Sequence, residues 1–298
     1  MGEFCQQFFT LLGALVCLSF LVRCIMFLKY LFPRAWRPLP QSFFRSMGEW
    51  AVVTGAGDGI GKAYALELAK RGLNIVMISR TLEKMQKVAF EIEKTTGRQV
   101  KTIQADFTKD DIYENIEDNI KGLEIGILVN NVGMLPWPNP CRFLSIPDND
   151  KSVINCNITS ATKMTRMVLK QMEQRRKGLI LNISSGVGIL PSPLYALYSA
   201  SKVVSPYGVS TAMTRHLKTN LFIKDANDFV RESLNYVTFG NETFGCLAHE
   251  IMGFVIKLIP LWVLHSERVQ EKFLEVFSHL TEENQKMPKQ MSVHKNQL

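Results

Sequence analysis

From Trp50 to Gly186 the chain alternates without a break between short apolar runs and stretches of helical spacing. The runs are WAVVTG (50–55), NIVMISR (74–80), VKTIQAD (100–106), IGILVNNVG (125–133) and GLILNISSG (178–186). Each is short, bounded by turn residues and almost continuously apolar, which predicts a strand buried on both faces of a parallel sheet. The spacing predicts helices at 59–73 with a stop at Gly72, at 81–97, at 109–121 and at 148–177. Thr81 is the expected N-cap of the second of these and Gly97 its end, and Lys84 stands where a capping box would want Glu. Strict alternation of this kind predicts an α/β fold, a Rossmann-like doubly wound parallel sheet.

The N-terminus carries a second, unrelated signal. Phe4–Val22 is 19 residues without a charge, and CIMFL continues it after Arg23. That is close to the ~20 residues needed to cross a bilayer. No basic residue precedes the run and no clear small-residue cleavage site follows it, which favours a transmembrane anchor over a cleaved leader. Arg23, Lys29, Arg34, Arg37 and Arg45 come after most of it, so the positive-inside rule puts the rest of the chain in the cytosol, most simply at the endoplasmic reticulum membrane. The expected organisation is an anchor over 1–30, a basic, Pro-containing linker over 31–47, a nucleotide-binding domain over 48–250, and an apolar segment with a polar tail over 251–298.

Composition narrows the function. The formal net charge is +8, but no basic run is interleaved with aromatic residues, so no nucleic-acid partner is expected. Cys5, Cys17, Cys24, Cys141, Cys156 and Cys246 form no CxxC or Cys/His cluster, so neither a metal site nor a disulfide framework is expected.

TGAGDGIG (54–61) lies between the first strand and the first helix. Glycine there lets the backbone turn tightly, and the following helix offers its unpaired N–H groups to a pyrophosphate. Gly55, Gly59, Ile60 and Gly61 are the candidate cofactor contacts. An acidic residue at the end of the next strand would select NAD; Ser79 and Arg80 stand there instead, and Arg80 suits the 2′-phosphate of NADPH/NADP+. A solvated arginine opening a loop is the plainer alternative. Asp106 at the end of the third strand is a candidate for the adenine, or only a turn residue. Asn131 at the end of the fourth is a candidate cofactor contact.

TGxxxGIG, NNVG (130–133), Ser185 after the fifth strand and YSASK (198–202), in this order, resemble the short-chain dehydrogenases/reductases. The resemblance implies that Tyr198 is the proton donor, with Lys202 one helical turn on lowering its pKa and holding the nicotinamide ribose. It also implies that Ser185 bonds the substrate oxygen (Ser184 is its competitor) and that Asn157 holds a relay water. It places the turn PYGVST (206–211), with Val209, against the nicotinamide. SRTLEKM, ADFTKDDIYE and LVNNVGMLP resemble a narrower membrane-bound group whose members reduce 17-ketosteroids, such as androstenedione to testosterone, or 3-oxoacyl-CoA. A steroid substrate, NADPH and a homodimer are the partners so implied.

One departure stands out. In the family the YxxxK helix continues and a sixth strand follows, which needs roughly 16 residues at average element lengths. Between Lys202 and Pro206 there are only Val203, Val204 and Ser205. The helix is therefore expected to end near Val204 and the sixth strand to be missing, so that nucleotide binding survives while turnover is low or absent. Ile251–Leu264 is too short and too interrupted to span a bilayer; it is read as a core helix or an interfacial segment.

Overall fold

The computed structural model describes residues 2–36, 39–137, 150–185, 195–201, 209–211, 223–237 and 243–257. It also describes, singly or in short pieces, 143, 213–214, 219–220, 259–260, 263, 266–269, 271–272 and 275. The chain divides into two compact units, 1–39 and 40–298.

The first unit is helix α1, Gly2–Trp36. Within Gly2–Leu28 an 18-residue stretch has a mean hydropathy of 2.5 and none of it is buried against protein, so the helix is long and apolar enough to cross a membrane. Leu11–Val22 carries no charge and gains from hydrocarbon around its whole girdle.

The second unit opens with a short helix α2, Gln41–Arg45, whose Phe44 is fully buried under the Arg71 guanidinium, 4.5 Å from the ring centroid. Five strands follow: β1 Trp50–Thr54, β2 Asn74–Ser79, β3 Val100–Gln104, β4 Ile125–Asn130 and β5 Leu179–Asn182. All pair in parallel in the order β3-β2-β1-β4-β5. Each strand matches a run predicted from sequence and is trimmed at its end. The doubly wound sheet is the fold expected. The helices between strands are α3 Gly59–Lys70, α4 Leu82–Thr96, α5 Tyr113–Ile120, α6 Asp150–Ile154 and α7 Ser160–Arg175. Thr81 is the N-cap residue of α4 but makes no side-chain capping bond, while Gly97 closes the helix in the left-handed conformation as expected.

The predicted 148–177 helix is interrupted by one π-helical stretch, Asn155–Thr159, between α6 and α7. An added residue in a helical turn shifts which side chains face the sheet, and such turns concentrate at functional sites. Apolar periodicity cannot show it, because the helix resumes with its buried face intact: Met164, Val168 and Met172.

Val52, Val76, Ile78, Ile103 and Leu128 on one face of the sheet pack with Phe107, Tyr113, Ile116 and Met164 into one core. Each such side chain contributes about 1.5–3 kcal/mol on burial. All six residues of β4 are buried, as an interior strand requires. The four of β5 are not: Leu179, Ile180 and Leu181 are half-buried and Asn182 is exposed. Among the described residues β5, an apolar strand, pairs with β4 alone.

Beyond β5 come α8, Ala196–Ser201, two two-residue strands, β6 Val209–Ser210 and β7 Lys224–Asp225, paired in parallel, then α9 Ala226–Ser233 and α10 Leu247–Lys257. No sixth strand of the main sheet occurs among the described residues. Lys202 and Val203–Gly208 lie outside them, as does the tail beyond 275.

Helix α9 packs on α3, where the buried Tyr64 Oη and Ser233 Oγ are 2.8 Å apart. Burial pushes the Tyr64 phenol from 10 up to about 12, against a smaller downward pull from Ser233. The folded chain therefore favours the neutral phenol. That contribution is fully present below pH 10 and is lost as the pH rises towards 12, an expected fall of about 2–3 kcal/mol. Tyr113, raised to about 12 by burial and then by Asp110, adds to the same slope. Denaturant titrations from pH 8 to 12 should show stability flat and then falling. Tyr64→Phe should flatten the fall and lose about 1 kcal/mol at neutral pH with its hydrogen bond.

Candidate active site

The order β3-β2-β1-β4-β5 reverses direction between β1 and β4, and the carboxyl ends of those two strands open the crevice in which such sheets bind ligands. Thr54, the last residue of β1, ties the crevice together. Its Oγ1 accepts hydrogen bonds from the backbone N–H of Asn131 and of Val132, both at 3.0 Å. Asn131 Nδ2 donates back to the Thr54 carbonyl at 2.9 Å and to that of Gly55 at 3.3 Å. Asn131 therefore fastens the glycine turn to the end of β4. Sequence reading singled out Asn131 but missed Thr54, whose only signal was its place at the head of TGAGDGIG.

The glycine turn is a cradle that a side chain would fill. Gly55 sits at φ 65°, and its N–H donates to the Ile78 carbonyl of β2 at 2.8 Å. A Cβ on Gly61 would lie 2.3 Å from the Gly55 carbonyl oxygen and 2.5 Å from Asn131 Nδ2. Ile60 and Gly61 form the first turn of α3, whose N-terminus points into the crevice, with Asp58 as its N-cap. The turn, the open N-terminus and the close approach of β4 suit a dinucleotide pyrophosphate.

At the end of β2, Ser79 is half-buried and Arg80 exposed, with the Arg80 carbonyl held by Gln104 Nε2 at 2.9 Å. The Arg80 side chain is free to reach a phosphate. Asp106, two residues beyond β3, accepts the Thr108 N–H at 3.1 Å and hydroxyl at 2.9 Å on its Oδ1, as a turn residue does, and its Oδ2 is not used in these bonds.

On the far side stands Tyr198 in α8, 7% exposed and beside Tyr195. The Tyr198 hydroxyl donates to Met213 Sδ at 4.0 Å, and Ser185 lies close enough to act on the phenol. The structure thus brings together the two groups that sequence spacing paired. The competing Ser184 has other contacts. Burial pushes the Tyr198 phenol up, Ser185 pulls it down, and Cys156 adds a smaller upward push. Lys202, expected to lower it further, lies outside the described residues.

Asn157, in the π turn, positions α8. Its Oδ1 accepts from the Met134 N–H at 2.8 Å, and its Nδ2 donates to the Met134 carbonyl at 3.0 Å and to Ser201 Oγ at 2.8 Å. Ser201 Oγ in turn donates to the Tyr198 carbonyl at 2.8 Å. The loop after β4 and the tyrosine helix are therefore joined through one amide. Asn157→Ala would remove the bonds to the Met134 N–H and carbonyl and leave Ser201 Oγ with only its bond to Tyr198, and should destabilise the chain by about 2–4 kcal/mol, read as a lowered thermal midpoint.

The turn expected against the nicotinamide is present in part. Thr211 is buried, and a Cβ on Gly59 would lie 3.1 Å from its methyl group. Within the described part of this turn, Val209–Ser210 pairs with β7 and Thr211 meets the glycine loop. Val209 is placed there by its backbone.

Comparison with known proteins agrees with this geometry. The profile of the family described as "short chain dehydrogenase" matches residues 49–221. The chain is 57% identical to the 17-beta-hydroxysteroid dehydrogenase type 3 of Homo sapiens over 296 positions, covering 92% of this chain and 96% of the relative. Those positions outnumber the residues that this chain contributes, so the relative carries residues with no counterpart here. It is 43% identical to the very-long-chain 3-oxoacyl-CoA reductase of Homo sapiens, over 73% of this chain and 77% of that one. A solved short-chain dehydrogenase from Sphingobium yanoikuyae in complex with NADPH superposes with a TM-score of 0.59 at 24% identity, over 65% of this chain and 87% of that one.

Proposed function

Because this chain belongs to the short-chain dehydrogenases, we propose that it reduces the 17-ketone of a steroid with NADPH, converting androstenedione to testosterone. The observation that carries the chemistry is the placing of the buried Tyr198 phenol beside Ser185, beyond the carboxyl end of β5. The 57% identity to a 17-beta-hydroxysteroid dehydrogenase supports the substrate. Arg80, exposed at the end of β2, supports NADPH over NADH.

Bound NADPH supplies hydride to the carbonyl carbon. This chain's own residues do the rest. Gly55, Gly59, Ile60, Gly61 and Asn131 hold the pyrophosphate side, with Ser79 and Arg80 at the adenosine ribose. Ser185 Oγ donates to the carbonyl oxygen, where negative charge develops. Tyr198 gives that oxygen its proton; burial pushes its phenol up, so the groups that favour the phenolate have to offset that push. Lys202 restores balance by stabilising the phenolate left behind. Asn157 holds α8, and so Tyr198, in place. The domain is assigned to the cytosolic face of the endoplasmic reticulum membrane, anchored by α1. A homodimer is supported by the exposed Ile154, Ile158 and Leu169 along the α6–α7 helix.

Purified full-length chain with NADPH should convert androstenedione and leave a 3-oxoacyl-CoA untouched; consumption of the thioester instead would overturn the steroid assignment. One observation favours a second reading, a form that binds nucleotide but turns over poorly. The half-buried apolar β5 pairs with β4 alone among the described residues, beside an open groove of about 530 Å³ lined by α7 residues Ala161, Thr165 and Leu169 and by Asn182. NADPH binding without conversion of either substrate would select that reading.

A further inference from the structure

We propose that Lys84 and Asp58 act as one charge pair that lets this chain accept a 2′-phosphate, a role that rests on NADPH being the cofactor. Asp58 stands inside the glycine turn. Its Oδ1 accepts the Gly59 N–H at 2.7 Å, and its Oδ2 accepts Lys84 Nζ at 3.0 Å. Lys84 lies in the first turn of α4. A Cβ on Gly57 would be 3.5 Å from both Lys84 Cβ and Ser79 Oγ. The Lys84 stem and the end of β2 therefore border the same spot, and Arg80 is the residue after Ser79.

This arrangement sets two charges against each other at the adenosine ribose. The Asp58 carboxylate is an anion at the helix N-terminus where a dinucleotide's own phosphates belong, and it would repel a further phosphate on the ribose. Lys84 cancels that charge. Arg80 is then left to attract the 2′-phosphate without opposition. The side chains of Asp58 and Lys84 are 49% and 56% exposed, so a nucleotide can reach both and the effect weakens with salt. A nucleotide with a free 2′-hydroxyl brings only the 5′-phosphate that both kinds of nucleotide share, so the difference between the two reads the 2′-phosphate alone.

The test uses the full chain in detergent and two probes without nicotinamide, adenosine 2′,5′-bisphosphate and adenosine 5′-monophosphate, with dissociation constants read by calorimetry. Lys84→Gln should weaken the bisphosphate about tenfold and the monophosphate less than about twofold, the range of a charge-assisted contact. Asp58→Asn keeps a good N-cap and should tighten the bisphosphate about threefold or more, with the gain largest at low salt. The double variant should return the ratio of the two affinities close to that of the unmodified chain. An unchanged ratio in Lys84→Gln, an equal loss for both probes, or no gain in Asp58→Asn would overturn the proposal while leaving the cofactor assignment intact. If the unmodified chain binds neither probe, the cofactor assignment itself fails and this role falls with it.

Discussion

Replacing Gly61 with alanine is expected to remove NADPH binding, by 100-fold or more in a nucleotide-fluorescence titration. The added methyl carbon would sit 2.3 Å from the Gly55 carbonyl oxygen and 2.5 Å from Asn131 Nδ2. Neither neighbour can withdraw cheaply. The Gly55 oxygen is backbone at the exit of β1, and Asn131 Nδ2 is held by the Thr54 and Gly55 carbonyls. The turn must open instead, which pulls the N–H groups of α3 away from the pyrophosphate. Overpacking of this kind costs about 1–3 kcal/mol in stability, so a modest fall in thermal midpoint should accompany a large fall in affinity. An alanine variant that binds NADPH as tightly as the unmodified chain would show that this turn is not where the cofactor lies.

Tyr198→Phe should leave NADPH affinity within about twofold and cut steroid reduction by about 10²–10⁴-fold, the range typical of a lost general acid. The phenyl ring fills the same buried space beside Tyr195, so α8 has no packing reason to move. The lost hydroxyl contact with Met213 accounts for about 1 kcal/mol of stability at most. The pH profile carries further information. An acid must be protonated to act, so reduction should persist up to the phenol's pKa and fall above it. Burial raises that pKa, which shields reduction from alkaline loss; Lys202 works in the opposite sense. Reduction by Tyr198→Phe at more than a third of the unmodified rate would remove the tyrosine from the mechanism.

Much of this molecule was legible in its sequence because the signals were local. A buried parallel strand has to be apolar along its length, so WAVVT, NIVMIS and IGILVN declare themselves, and a glycine turn between strand and helix has few uses. The candidate site was legible where a motif fixes the distance along the chain, as with Ser185 and Tyr198. It was less legible where the partners lie far apart. The Asp58–Lys84 pair spans two helices, and Thr54 meets Asn131 across two strands. The π turn at Asn155–Thr159 leaves no trace in apolar spacing.

The chain's order of elements, its apolar N-terminal helix and the shortage of residues after Lys202 were decided by sequence alone, because each follows from near-neighbour chemistry and chain length. Tertiary structure alone decided where residues 209–211 go: Val209–Ser210 pairs with Lys224–Asp225, and Thr211 lies against Gly59. That choice depends on which unpaired backbone groups find each other in space, and nothing in the order of residues states it.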